Sequence, residues 1–259
     1  MKKIQKVLIT GAAGGFGTDI IDALVAKGYI VTGAMRDING RNMPAASILK
    51  QKGVYVVEID VTNDESVVNG VDSAIAQMGG LDMLINNAGI GTVGIQEAYT
   101  ADDWKKVFDV NVFGVQRMTR AVLPHMKQKQ HGLLLLISSL SARMAVPFPG
   151  PYCPSKWAAE ALAESYRTEV SNFGIESCIL EPGAFPTKFI GSLLQPSEKE
   201  RTLDYGAIKD LPDSFLASLE SVFEANPEQN AGMVSKAIID LLEIQHGERP
   251  IRTEVDSMI

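Results

Sequence analysis

Six short stretches of the chain are almost wholly apolar, and segments with a helical repeat separate them. They are KVLIT from Lys6, YIVTGAM from Tyr29, VYVVEID from Val54, LDMLINNAG from Leu81, LLLLISS from Leu133 and IESCILEPG from Ile175. A strand that faces water on one side alternates apolar and polar residues. A strand that is apolar throughout needs cover on both faces. Between the first two runs, TDIIDALVAKG places Ile20, Ile21, Leu24 and Val25 at helical spacing, and Gly28 is placed to stop that helix. TNDESVVNGVDSAIAQMG opens with a capping residue and an acidic first turn. Further helices are expected over about 101–128, 157–173 and 228–245, the last leading to RPIRTEV as a final edge strand. Strands alternating with helices predict an α/β chain: a doubly wound parallel sheet of about seven strands with helices on both faces. There is no internal repeat, low-complexity tract or Pro/Gly/Ser-rich linker, so residues 1–259 are read as one domain. The stretch from about 184 to 227 breaks the alternation. It reads as a long irregular insertion, a candidate lid.

Charge and composition narrow the function. The net charge of −7 argues against nucleic acid or an anionic membrane surface as the main partner. Cys153 and Cys178 are too few for a disulfide framework and lack metal spacing; His125, His131 and His246 are scattered, so no metal is expected. Lys2 and Lys3 resemble the charged start of a leader peptide, but the apolar run after them is short and ends in glycines. Leu133–Ile137 is far below membrane-spanning length. A cytoplasmic protein is the expectation.

The first strand runs straight into TGAAGGFG, which carries Gly11, Gly14, Gly15, Phe16 and Gly17 into the first helix. Glycines here permit a tight turn and let backbone approach a pyrophosphate, while the helix N-terminus offers free N–H groups. Two spacings are present: Thr10-Gly11-x-x-x-Gly15-x-Gly17, and Gly11-x-x-Gly14-x-x-Gly17. At the end of the second strand, a carboxylate would hydrogen-bond both adenosine ribose hydroxyls and favour NAD(H), whereas a basic group would favour the 2′-phosphate of NADP(H). GAMRD puts Met35 at that position, then Arg36, which can pair with a phosphate in a charge-assisted, bidentate way. NADP(H) is favoured. Asp37 keeps NAD(H) open, because a shift of one residue would bring its carboxylate to the ribose. Asp60, with Val61 after it, ends the third strand, where it could contact the adenine edge or cap a helix.

Several motifs then fall in order: TGAAGGFG, NNAG from Asn86, Asn111, Ser139, YCPSK from Tyr152 and PGAFPT from Pro182. Together they resemble the short-chain dehydrogenase/reductase family over residues 6 to 190, and Ser139 lies thirteen positions before Tyr152, as is usual there. NNAG and the chain length resemble the single-domain members more than the larger epimerases. The resemblance implies a Rossmann-type fold and hydride transfer between a nicotinamide and a carbonyl or alcohol. It implies Tyr152 as proton donor or acceptor, and Lys156 lowering its pKa and holding the nicotinamide ribose. Ser139 would hydrogen-bond the substrate oxygen, and Asn111 would hold a water that relays protons to Lys156. Asn87, Ala88 and Gly89 would shape the cofactor channel. Pro182, Gly183, Phe185 and Thr187 would meet the nicotinamide carboxamide. Ser138 or Ser141 could replace Ser139 if the register slips, and Asn111 could be a structural polar residue. Pro154 stands where the family usually has a small residue, but the first turn of a helix tolerates it. Cys153 reads as a packing residue. The resemblance also implies a homodimer or homotetramer.

Three segments should wall a substrate pocket: 91–96, 141–149 and the lid. They offer Met144, Val146, Phe148, Phe185, Phe189, Leu193, Leu194, Tyr205 and Phe215. An apolar wall points to a hydrophobic small-molecule ketone, aldehyde or alcohol; packing of the lid onto its own domain would use the same residues. Two other readings stand beside an NADPH-linked carbonyl reductase. One is a 3-oxoacyl thioester reductase, which the acidic surface disfavours for an acidic carrier protein. The other is a non-catalytic dinucleotide-binding redox sensor, which would not need the Tyr152–Lys156 pair.

Overall fold

A computed structural model describes residues 5–258; Lys2 and Lys3 lie outside them. The strands are β1 (Lys6–Thr10), β2 (Ile30–Met35), β3 (Tyr55–Glu58), β4 (Met83–Asn86), β5 (Gly132–Ile137), β6 (Ile175–Pro182) and β7 (Arg252–Val255). They form one sheet in the order β3-β2-β1-β4-β5-β6-β7, and every neighbouring pair is parallel. The helices are α1 (Gly17–Ala26), α2 (Met43–Gln51), α3 (Asp64–Met78), α4 (Ala101–Phe108), α5 (Gly114–Lys129), α6 (Tyr152–Val170), α7 (Leu211–Ala225) and α8 (Ala231–Glu243).

The apolar strands have the double cover their composition demands. Along β1, Val7 and Ile9 pack with Ile20, Ile21 and Leu24 of α1 and Val234 and Ile238 of α8. Leu8, between them, packs on the opposite face with Val67 and Val71 of α3 and Met118 and Val122 of α5. β4 divides in the same way, with Met83 and Ile85 on one side and Leu84 on the other. Alternate side chains of one strand thus enter two different cores.

The strand order reverses between β1 and β4, and a crevice opens there at the carboxyl ends of the strands. Thr10 closes its floor. The Thr10 hydroxyl accepts from the backbone N–H groups of Asn87 and Ala88, each at 3.0 Å, and the Asn87 amide donates back to the Thr10 carbonyl at 2.9 Å. Gly11 follows with φ of +69°, and a Cβ there would lie 2.9 Å from the Asn87 amide nitrogen.

The segment expected as one long helix over 101–128 is helical throughout: α4 runs into a π-helical turn, Asp109–Phe113, which continues directly into α5. One expectation needs correction. The segment 184–227 is only partly irregular, because it contains α7, fifteen residues long with Pro212 in its first turn. The apolar residues Leu211, Phe215, Leu216 and Leu219 already carried that helical spacing. The base of the segment is tied down: Leu194 bridges to Thr92, and the Ser197 hydroxyl donates to Asp103 at 2.6 Å. Among the described residues no helix is long and apolar enough to cross a membrane.

Candidate active site

Tyr152 is the first residue of α6, so Lys156 stands one turn on, on the same helix face. Pro154 occupies the third helical position, where its missing N–H has no intrahelical partner to lose. The Ser155 hydroxyl donates to the Tyr152 carbonyl at 2.6 Å and steadies that first turn. Lys156 is buried, donates to the Ile137 carbonyl at 2.9 Å, and holds its Nζ 5.6 Å from the centre of the Tyr152 ring.

The three serines beyond β5 take different roles. The Ser138 hydroxyl donates to Glu160 at 2.5 Å. The Ser141 N–H donates to Ser139 Oγ at 3.1 Å, and the Ser141 carbonyl accepts from the Trp157 indole. It is the Ser139 hydroxyl that interacts with Tyr152. Consecutive residues at a strand end point to opposite sides, which separates Ser138 from Ser139.

Burial pushes the Tyr152 phenol up to about 12, against the pull of its hydrogen bond with Ser139; the nearby Cys153 adds to the rise. Burial likewise pushes Lys156 down to about 8, and the negative charge of Glu160 opposes it. Burial is the largest influence on the Tyr152 phenol here, and the Lys156 ammonium is directed at the Ile137 carbonyl.

Asn111 lies in the π-helical turn and is 2% exposed, behind the cavity wall. Its amide donates to the Ile90 carbonyl and to Ser155 Oγ, each at 2.9 Å, and its carbonyl accepts from the Ile90 N–H at 2.9 Å. One carbonyl lone pair is left over. A Cβ on Gly89 would sit 3.3 Å from Asn111 Oδ1 and 3.8 Å from Lys156 Nζ, so both groups flank that glycine. The π turn is what aims Asn111 inward, and such turns recur at functional sites.

A cavity of about 730 Å³ runs along the carboxyl ends of the strands. Gly11, Gly14, Gly15, Phe16, Arg36, Asp60, Val61, Asn87, Ala88, Gly89, Tyr152, Lys156, Pro182, Gly183, Phe185 and Thr187 all line it. Gly17, expected at the cofactor, does not. A Cβ there would lie 2.3 Å from the Gly11 carbonyl oxygen, so Gly17 serves the close packing of loop and helix. Space beyond Gly14 and Gly15 is open, since an added Cβ would meet nothing within 4 Å at either. That cradle at the start of α1 fits a pyrophosphate.

At the ribose end, Arg36 reaches along the wall to within 3.9 Å of Asp60. Asp37 is turned out of the cavity: its backbone adopts φ of +50°, and its carboxylate accepts from the Arg41 N–H at 2.7 Å. The tight turn over 37–42 brings Arg41 and Asn42 into the wall beside Arg36. Arg41 is a second cation that the sequence reading missed; Asp37 and Gly40, as turn formers, were the signal for it. Asp60 accepts from the Thr62 N–H and hydroxyl at 3.0 and 2.7 Å, while Asn63 caps α3. Of its two expected roles, capping falls to Asn63.

Beyond Tyr152 the wall is apolar, formed by Met144, Val146, Phe189, Leu193, Phe215, Leu216 and Leu219. The Tyr152 and Phe189 rings stand 5.9 Å apart. Three expected wall residues lie outside it. Phe148 packs on Phe215 at 6.2 Å, Leu194 is occupied in the bridge to Thr92, and Tyr205 donates to Glu97 at 2.7 Å. Phe148 holds φ of +79°, a strained conformation for a bulky residue.

Comparison with known proteins gives this geometry its family. The short chain dehydrogenase model matches residues 5–197. The chain belongs to that family. It is 38% identical, over 84% of its length and 76% of the relative's, to a 3-ketodihydrosphingosine reductase from Bacteroides thetaiotaomicron. Among solved structures it is similar to a short-chain dehydrogenase from Streptomyces avermitilis, with a TM-score of 0.81 and 30% identity over 98% of this chain and 89% of that one. It is also similar to an alcohol dehydrogenase from the archaeon Thermococcus sibiricus complexed with 5-hydroxy-NADP, with a TM-score of 0.74 and 25% identity over 98% and 97%. This short-chain dehydrogenase is an oxidoreductase that uses a nicotinamide dinucleotide, and the glycine cradle and the cavity along the strand ends fit that cofactor.

Proposed function

We propose that the protein is a carbonyl reductase that uses NADPH and takes a hydrophobic ketone or aldehyde. The observation that carries this reading is the meeting of Tyr152, Ser139 and Lys156 where the polar half of the cavity joins the apolar half. When bound, the reduced nicotinamide supplies the hydride. Ser139 holds the substrate oxygen, and Tyr152 gives that oxygen its proton. A phenol held near 12 is in its neutral, donating form at pH 7, which suits reduction. Lys156 brings positive charge to the Tyr152 side as the phenolate forms, and Asn111, with one free lone pair, can hold the water that returns the proton. The phosphate preference is supported by Arg36 and Arg41 on the wall and by Asp37 turned away. The relative from Bacteroides thetaiotaomicron is named as the reductase of a ketone. Segment 184–227 acts as a lid, a role supported by Phe189, Leu193 and Phe215 facing the cavity and by the Phe148–Phe215 contact.

Tyr152→Phe tests the reading. Turnover of ketones with NADPH should fall by about 10²–10⁴-fold, the usual contribution of a positioned acid, while NADPH binding stays near that of the parent. Full activity in the variant would remove Tyr152 from the chemistry.

A further inference from the structure

Beneath the cleft lies a group of buried charges that the proposed reaction does not use. Glu160 follows Lys156 by one turn of α6, and Glu181 is the penultimate residue of β6, beside Pro182. They are 3% and 0% exposed. Arg252 of β7 places its Nε 3.2 Å from Glu160 and 3.4 Å from Glu181, and it also pairs with Glu164. Arg143, just past the turn Leu140–Ala142, approaches Glu181 at 3.3 Å. Ser138 donates to Glu160. Yet neither oxygen of Glu181 has a hydrogen-bond partner among the described residues. Both guanidinium contacts are close without being aligned.

Three carboxylates here face two guanidinium groups, and Arg143 is half exposed. Two buried carboxylates side by side do not both ionise readily. A buried carboxylate whose ion pairs supply no hydrogen bond is costlier still. One proton between Glu160 and Glu181 removes both difficulties, because it cancels a charge and turns Glu181 into a donor toward Glu160. We propose that Glu160 and Glu181 share one proton, and that the pair positions Lys156 and the Ser138–Ser139 strand end from behind the cleft.

Glu160 accepts from Ser138, pairs with Arg252 and faces Lys156 along the helix. Glu181 holds the proton. Burial raises Glu181 to about 7, and the charges of Glu160 and Glu254 add to the rise, while Arg143 lowers it. Glu160 in turn opposes the fall of Lys156. These are positioning residues, and their effect on the reaction passes through Lys156 and Ser139.

The inference rests on Lys156 working as an ammonium, so its test uses no turnover. In difference infrared spectra at pH 6, the parent should show a protonated carboxyl band that Glu181→Gln lacks. That band should fade as pH rises through about 7. The folded protein binds this proton more tightly than the unfolded chain between the ordinary carboxyl value and about 7, so its contribution to stability falls with rising pH across that window. Glu181→Gln should abolish that slope in Tm. Glu160→Gln should move the Lys156 midpoint, followed by NMR of labelled lysine Cε, down by roughly one unit, the effect of losing a close opposite charge. Glu160→Asp, the fallback if Glu160→Gln does not fold, should move it less in the same direction. An infrared difference or Tm slope unaffected by Glu181→Gln, or a Lys156 midpoint unmoved in both Glu160 variants, overturns the proposal. A protein that gives these signals but reduces no ketone keeps the pair and loses the proposed reaction.

Discussion

Arg36→Ala tests the cofactor preference most directly. A hydrogen bond to a charged group contributes about 1.5–3 kcal/mol. Two features place Arg36 at the low end. Its side chain is 54% exposed, so solvent screens it, and it already leans toward Asp60 at 3.9 Å, a contact that phosphate must replace. The loss should be about 1.5–2 kcal/mol, or roughly 10–30-fold in Kd for NADPH. NADH, without the 2′-phosphate, should weaken by no more than a few-fold. Titration of purified protein with each cofactor, followed by nicotinamide fluorescence, reads both numbers. Arg36→Ala/Arg41→Ala should weaken NADPH further, because Arg41 shares the same wall. Raised salt should narrow the gap between the cofactors in the parent more than in the double variant. Equal weakening of NADPH and NADH in Arg36→Ala would refute the argument, since Arg36 would then shape the loop and read no phosphate. NADH binding as tight as NADPH in the parent would refute it as well.

Further outcomes follow from the site. Gly17→Ala forces a Cβ to 2.3 Å from the Gly11 oxygen and 3.0 Å from the Ala12 Cα, both backbone, so it should cost about 1–3 kcal/mol and weaken cofactor binding. Differential scanning calorimetry would read that cost as a Tm lowered by roughly 3–10 °C, and an unchanged Tm would contradict it. Ketone reduction should hold up to pH about 8 and decline above it as Lys156 loses its proton, and a kcat/KM profile flat to pH 10 would count against a charged Lys156.

Much of the fold could be read from the chain because each buried strand carries its own evidence. LLLLI at 133–137 has no polar face to give water, and the structure sends its side chains into different cores on the two sides of the sheet. The order of the motifs carried most of the site, since Gly11, Asn87, Ser139, Tyr152 and Pro182 each end or follow a strand or start a helix at the crevice. What escaped was set by packing at a distance. Arg41 enters the wall only because the turn at Asp37 reverses the chain. Gly17 leaves the wall only because the Gly11 carbonyl fills the space beside it. Glu160 and Glu181 are 21 positions apart on different elements, and no local pattern brings them together. Phe148 looked like wall, but its turn hands it to Phe215 of α7.

At the Tyr152–Lys156 pair, burial and charge act against each other. A motif says that a cation stands near a phenol, and a cation alone would lower the phenol's pKa. Burial acts on both groups at once, and it opposes charge on each of them. It drives Tyr152 up to about 12 and Lys156 down to about 8, so the cleft favours a neutral phenol next to a lysine that keeps its proton only with help. That starting state has a proton to give, though burial makes the phenol a weaker acid than an ordinary tyrosine. Reduction starts from the phenol and oxidation from the phenolate, so in either direction the phenolate needs the positive charge of Lys156 beside it. A carboxylate one turn behind Lys156 matters for the same cause: with burial pulling the ammonium down to about 8, the charge on Glu160 helps Lys156 to stay ionised at neutral pH.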